Sequence, residues 1–316
     1  MIIDGLEINN WDRSVVEQVR SGGINIVHAT CGVWEDTAGA MTRIADWRHF
    51  ARQNADLVRI VGSIEEMQTA KADNVLGILL GFQNSSMLGD DPEMAGIFAD
   101  VGIRVVQLTY NEVNHLGSSC WEPQDGGLTR VGQRMVAALN QAGVLIDLSH
   151  VGNRTGLEAI TASTKPVAVT HGNPFSFCDS PRNKPDDLLK VLAEHHGVIG
   201  CTLYPLFMGG ADVPRQTWGQ MMADLVDLVG IEHVAIGSDA VVGWEPNALG
   251  WMRNGRWDRP ENPDAVPAFP PWPDWFQGPE DFGSLGAGLE EAGFLPAERQ
   301  AVLGGNWMRI FAEVMA

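Results

Sequence analysis

Two histidines, His150 and His171, each close an apolar run: Val144-Leu145-Ile146-Asp147-Leu148-Ser149-His150 and Pro166-Val167-Ala168-Val169-Thr170-His171. A third run, His233-Val234-Ala235-Ile236-Gly237-Ser238, leads directly into Asp239. Runs without polar alternation read as strands covered on both faces, and the two that end in histidine are each followed by a helical pattern, as parallel strands require. Polar side chains at the carboxyl ends of parallel strands gather at one mouth. Imidazole nitrogens and a carboxylate gathered there can hold a divalent cation and leave positions open for water. The cation lowers the water's pKa, and a neighbouring carboxylate can take its proton.

The elements that position these residues read as eight strands with helices between them. The strands are Ile2 to Leu6, Ile24 to Ala29, Val75 to Leu80, Arg104 to Thr109, Val144 to Ser149, Val167 to Thr170, Val198 to Thr202 and His233 to Ser238, with Leu57 to Val61 as an accessory piece. The first helix, Trp11 to Ser21, opens at an Asn9-Asn10 cap and closes at Gly22-Gly23; another opens at Ser63 with Glu66 three residues on, a capping box. Eight such units make a (β/α)8 barrel, and 316 residues is a normal length for one barrel domain spanning the chain. No GxGxxG follows the first strand, as a dinucleotide-binding open sheet would require. No GxSxG elbow is present, and no cysteine has a motif context for nucleophilic catalysis.

From Val241 to Gly283 the regular pattern stops, and the segment is rich in tryptophan and proline. Because it leaves the eighth strand at its carboxyl end, it is expected to cover the barrel mouth; the same aromatic surface also suits a contact between two copies, a homodimer. The net charge of −19 and the absence of clustered Lys and Arg in the sequence argue against nucleic-acid binding. No basic segment with an apolar stretch opens the chain, and no apolar run approaches a membrane span. Four scattered cysteines without a CxxC pair suit reduced thiols, so a cytoplasmic location is expected.

In order along the chain stand Asp4-Gly5, Leu80-Gly81-Phe82-Gln83-Asn84, Gln107-Leu108-Thr109-Tyr110-Asn111, Asp147-Leu148-Ser149-His150, Thr170-His171, Arg182-Asn183, Gly237-Ser238-Asp239 and Gly305-Asn306-Trp307-Met308-Arg309-Ile310-Phe311. With this order and spacing the chain resembles the renal, or membrane, dipeptidase family, metallopeptidase relatives of the amidohydrolase barrels. The resemblance implies the barrel and a two-ion site, usually zinc, that splits the amide bond of dipeptides. It also implies that His150 and His171 bind one ion, and that Asp239 serves the other and accepts the proton of the attacking water. Arg182 matches the arginine that holds the substrate's carboxylate, a task suited to a guanidinium fork. Tyr110 stands where the family commonly has a histidine that polarises the scissile carbonyl, and a phenol can donate to the same oxyanion, with Asn111 beside it.

The departures from that pattern lie in one half of the site. The family's first strand reads Asp-Gly-His-x-Asp, whereas this chain has Asp4-Gly5-Leu6-Glu7-Ile8, and Leu80 is read at the place of the glutamate that bridges the ions. Three outcomes follow. His150, His171 and Asp239 form a single-ion hydrolase site for a small amide that bears a carboxylate. Alternatively Glu7, His28, Cys31 or His115 replaces the missing ligands, Glu7 only with a shift of its strand. In the third outcome the metal is lost, and the barrel is a carboxylate-binding protein or an enzyme of other chemistry.

Overall fold

The computed structural model describes residues 1–257 and 268–316. Nine strands form one parallel sheet: β1 (Ile3–Glu7), β2 (Ile26–Gly32), β3 (Val58–Ile60), β4 (Leu76–Phe82), β5 (Ile103–Gln107), β6 (Leu145–Asp147), β7 (Ala168–Gly172), β8 (Val198–Cys201) and β9 (Val234–Ile236). Neighbours run β1-β2-β4-β5-β6-β7-β8-β9. The sheet closes where the Ile8 N–H donates to the Ala240 carbonyl at 2.9 Å and the Asp239 N–H to the Leu6 carbonyl at 3.1 Å. With helices between the strands this is the expected (β/α)8 barrel. The accessory strand β3 pairs with Leu76 to Ile78 of β4, and β5 joins β4 only from Leu80 onward, so β3 lies under β5 without adding a ninth stave.

Each barrel strand sends one apolar side chain into a common inner cluster: Ile3, Ile26, Leu79, Val105, Leu145, Ala168, Val198 and Ala235. The C-terminal helix Asn306–Met315 closes this cluster with Trp307, Ile310, Phe311 and Val314. The Trp307 indole donates to the Ile236 carbonyl at 2.8 Å, and its ring lies where a Cβ on Gly5 would stand, 2.3 Å away. Gly5 therefore serves the packing of the barrel floor. The larger core lies between strands and helices, where alternate strand residues such as Ile78, Leu80 and Phe82 face outward.

Two expectations change here. The first helix, Arg13–Ser21, is capped by Asp12, whose carboxylate accepts from the Val15 N–H, and not by Asn9 or Asn10. Those asparagines bind the loop after β9 instead: Asn9 Oδ1 accepts from the Val242 N–H at 2.9 Å and Asn10 Nδ2 donates to the Gly243 carbonyl at 3.0 Å. The segment from Val241 is not wholly irregular, since Ala248–Asn254 is a helix; its residues 258–267, with Pro260, Pro263 and Pro267, lie outside the described residues. Among the described residues no helix is long and apolar enough to cross a membrane.

Two carboxyl groups are buried side by side at the closing seam. Asp4 accepts from the Ser238 N–H at 2.8 Å and from the Ser238 hydroxyl, joining β1 to the end of β9. Glu7 is also wholly buried, beside Asp4, with Oε2 taken by the Asn9 amide and Oε1 without a hydrogen-bond partner. Burial, and then the Asp4 charge, hold the Glu7 carboxyl well above the usual range, so it keeps its proton; burial raises Asp4 to about 6. Raised folded values mean that the native state binds more protons than the unfolded chain, so this pair's contribution to stability falls as pH rises above the ordinary carboxylate value and through 6. Glu7→Gln removes the titrating carboxyl and keeps the size of the side chain and an acceptor for Asn9. It is expected to raise Tm at pH 8 relative to the wild type and to leave pH 4 nearly unchanged in thermal melts. Parallel Tm–pH curves would show that the pair does not titrate on unfolding.

Candidate active site

At the carboxyl ends of the strands a cavity of about 580 Å³ opens, walled by Gln83, Tyr110, His150, Tyr204, Asp239, Arg253 and others. Val241, Leu249, Met252, Arg253, Asn254 and Phe269 come from the Trp- and Pro-rich segment, which therefore forms part of the mouth as its origin predicted.

His150 and His171 meet there, with their Nε2 atoms 3.1 Å apart. The surrounding bonds assign the protons. Asn111 Nδ2 donates to the Arg253 carbonyl, which leaves Asn111 Oδ1 as the acceptor of an N–H from His150 Nδ1 at 2.8 Å. The Thr170 hydroxyl donates to Asp147 Oδ2 at 2.7 Å, so Thr170 Oγ1 accepts from His171 Nδ1 at 2.8 Å. Asp147 is itself held by the Ser149 and Thr170 N–H groups at 3.0 and 2.9 Å and by the Ser149 hydroxyl at 2.5 Å. Burial first, and then the charges of Arg182 and its neighbours, push both imidazoles well below the usual histidine range, so both are neutral. Both Nε2 atoms consequently present lone pairs to one another. Two lone pairs at this distance repel unless a cation lies between them, and two imidazoles on one tetrahedral zinc ion stand about 3.3 Å apart. Oriented Nδ1–H groups are the outer support that metal-binding histidines require.

Asp239 lines the same cavity on left-handed backbone, φ 59°, and Asn111 is likewise left-handed at φ 55°. Such backbone is uncommon outside glycine and stores strain, and it is found at functional sites. Burial lifts the Asp239 carboxyl to about 7; Arg182 pulls it down, while Asp4 and Asp147 add to the rise. Tyr110 stacks on His150 with ring centres 4.2 Å apart and meets Trp34 edge-on at 5.4 Å. Burial, and then the Asp239 charge, raise its phenol above its ordinary value, so it remains a hydrogen-bond donor.

Arg182 is placed differently from a ligand-facing residue. It is wholly buried and is not on the cavity wall. One terminal nitrogen donates to the Ser149 carbonyl and the other to the His171 carbonyl at 2.6 Å, with its guanidinium 5.3 Å from the Phe207 ring centre. It thus ties together the strand ends that carry the two histidines. Asn111, read as a substrate contact, has its amide engaged by His150 and Arg253 and positions both.

The half of the mouth that would hold another ion is apolar. Ile8 packs with Val33, Tyr110 and Met252, and it separates the large cavity from a smaller one of about 180 Å³ lined in part by Cys31, Trp11 and Trp47. Leu6 is fully buried. The reading of Leu80 at the bridging position is corrected. Leu80 faces the helices, and strand alternation turns Gln83 to the mouth, so a neutral amide stands there. The register does shift between Asp4 and Glu7, but the shift delivers Glu7 to Asp4. His28 binds the Gly5 carbonyl through Nδ1 at 2.8 Å, and its Nε2 lies against Gly81, where a Cβ would stand 2.2 Å away. His115 is exposed on its loop. None of Glu7, His28, Cys31 or His115 lines the large cavity, and among the described residues no three His, Cys, Asp or Glu side chains converge on one point. The expected three-ligand set is thus corrected: Asp239 lines the cavity without converging with His150 and His171, and the donor set fits one ion on the two histidines, not two.

Sequence reasoning missed Asp147 as the anchor of His171, Gln83 at the mouth, and Arg253. Asp147 stood in the quoted motif, and its spacing to Ser149 was the available signal; Arg253 had none.

A family model described as membrane dipeptidase, peptidase family M19, matches residues 12–250. Dipeptidase aclJ of Aspergillus oryzae is 31% identical over 170 residues, 51% of this chain and 39% of that protein. Dipeptidase 3 of Rattus norvegicus is 26% identical over 301 residues, 89% of this chain and 55% of that protein. The chain spans about half the length of these curated relatives. The crystal structure of an amidohydrolase from Pseudomonas aeruginosa superposes with a TM-score of 0.92 at 32% identity, covering 100% of this chain and 96% of that one.

Proposed function

This chain belongs to the membrane dipeptidase family, and on that premise we propose that it is a metal-dependent hydrolase cleaving the amide bond of a dipeptide or a related small amide that bears a carboxylate. The carrying observation is the pair of facing Nε2 lone pairs of His150 and His171, 3.1 Å apart, each fixed from behind. These two residues would hold one divalent ion, zinc being the family's usual metal. When bound, it would supply Lewis acidity, which lowers the pKa of a water and polarises a carbonyl. Asp239, on the same wall, takes the proton of the attacking water. The Tyr110 phenol donates to the oxyanion that develops on the scissile carbonyl. Arg182 maintains the strand ends beneath, and the four unpaired thiols support a reducing, cytoplasmic setting.

A second reading, a metal-free carboxylate-binding barrel, draws on the apolar filling by Ile8, Val33 and Met252. Metal analysis of the purified protein before and after incubation with zinc, paired with a dipeptide hydrolysis screen, separates the two. One ion per chain is expected, with metal and hydrolysis both lost in His150→Ala and His171→Ala. Near-zero metal in the wild type together with no hydrolysis would overturn the hydrolase.

A further inference from the structure

We infer that Arg253, and not Arg182, reads the carboxylate of the ligand at the barrel mouth, and that the ligand's carboxylate end carries an apolar side chain. The inference deepens the hydrolase reading and takes from it the presence of a carboxylate. A chain of net charge −19 whose mouth also holds Asp239 and Glu112 repels an anion, so a carboxylate needs a cation in the wall to be bound. Among the described residues Arg253 is the one Lys or Arg on that wall. Arg182 contributes nothing to the wall, and both of its terminal nitrogens are engaged by the Ser149 and His171 carbonyls; to reach a ligand it would have to release the strand ends that hold the histidines.

Arg253 lies in the last turn of the helix Ala248–Asn254, is exposed, and forms no ion pair among the described residues. It shares the cavity wall with the Tyr204 phenol, which feels its charge. Its distance from the reacting centre is set by one side chain. Asn111 Nδ2 donates to the Arg253 carbonyl at 3.2 Å, while Asn111 Oδ1 takes the His150 Nδ1–H at 2.8 Å. The helix that presents the cation also presents Leu249 and Met252 to the cavity, with Phe269 beside them, an apolar surface next to the charge. A planar guanidinium with a phenol alongside suits the two oxygens of a carboxylate.

The test uses 4-methylpentanoate, which has the carboxylate and an apolar chain but no amide to cleave, and its neutral counterpart 4-methylpentanamide. Both are titrated calorimetrically into the full chain. The wild type is expected to bind the acid about 10- to 100-fold more tightly than the amide. Arg253→Gln is expected to abolish that preference by weakening acid binding alone, and Arg253→Lys to restore part of it. An acid preference that survives Arg253→Gln overturns the assignment, as does a wild type without a preference. Because neither probe reports peptide hydrolysis, these outcomes are independent of the hydrolysis screen: a failed screen removes the hydrolase and leaves the Arg253 result to stand or fall alone.

Discussion

Asp239→Asn is expected to lower kcat by about 10²- to 10⁴-fold, the range ascribed to a positioned general base. The residue sits immediately past β9 in left-handed backbone, its N–H bound to the Leu6 carbonyl at 3.1 Å and its side chain on the wall shared with His150. Asparagine tolerates the same backbone and fills the same volume, so the geometry survives. What it loses is a group that can take a proton from water. Since that transfer occurs only in the transition state, kcat and kcat/KM should fall together. Steady-state kinetics on a dipeptide turned over by the wild type measures this, with thermal melting as a control. A kcat within three-fold of the wild type would remove Asp239 from the chemistry.

Arg182→Met is expected to destabilise the protein by about 3–5 kcal/mol, because hydrogen bonds from a charged donor to two buried carbonyls disappear and leave both acceptors unpaired. For a domain of this size Tm should fall on the order of 10 °C. Methionine keeps most of the stem's contact with Phe207, so the loss reports chiefly on the Ser149 and His171 carbonyls. Arg182→Lys should recover less than half of the loss, since one ammonium cannot reproduce a fork that spans two strand ends. Thermal denaturation of the three proteins decides the matter. An unchanged Tm combined with weaker binding of carboxylate ligands would return Arg182 to the ligand-reading task that its place in the sequence suggests.

The two arginines show where a one-dimensional reading stops. Arg182 stands in Pro181-Arg182-Asn183-Lys184, a composition that looks like a solvated loop, yet the loop folds back under the mouth and buries both Arg182 and Lys184 against main-chain carbonyls. Arg253 follows Trp251 and Met252 in a helix of seven residues, too short for a periodic signal, and reaches the site because the segment after β9 returns across the mouth. Leu80 and Gln83 make the same point at strand scale. The run from Leu76 to Phe82 is apolar on both faces, so its letters do not disclose which residues point inward, whereas pairing with β2 and β5 does.

The sequence by itself determined the barrel, because strands buried on both faces must be unbroken apolar runs and the helices between them carry their own caps. It also determined that His150, His171 and Asp239 stand at strand ends, and that Leu6 and Ile8 offer no donor where the family has two. Tertiary structure alone decided how the histidines act: Asn111 and Thr170, the latter held by Asp147, take the two Nδ1 protons and leave two lone pairs facing each other. It also decided that apolar packing by Ile8, Val33 and Met252 fills the other half of the mouth. A tautomer and a filled volume depend on which distant groups come within a few ångströms, and that proximity is a product of folding.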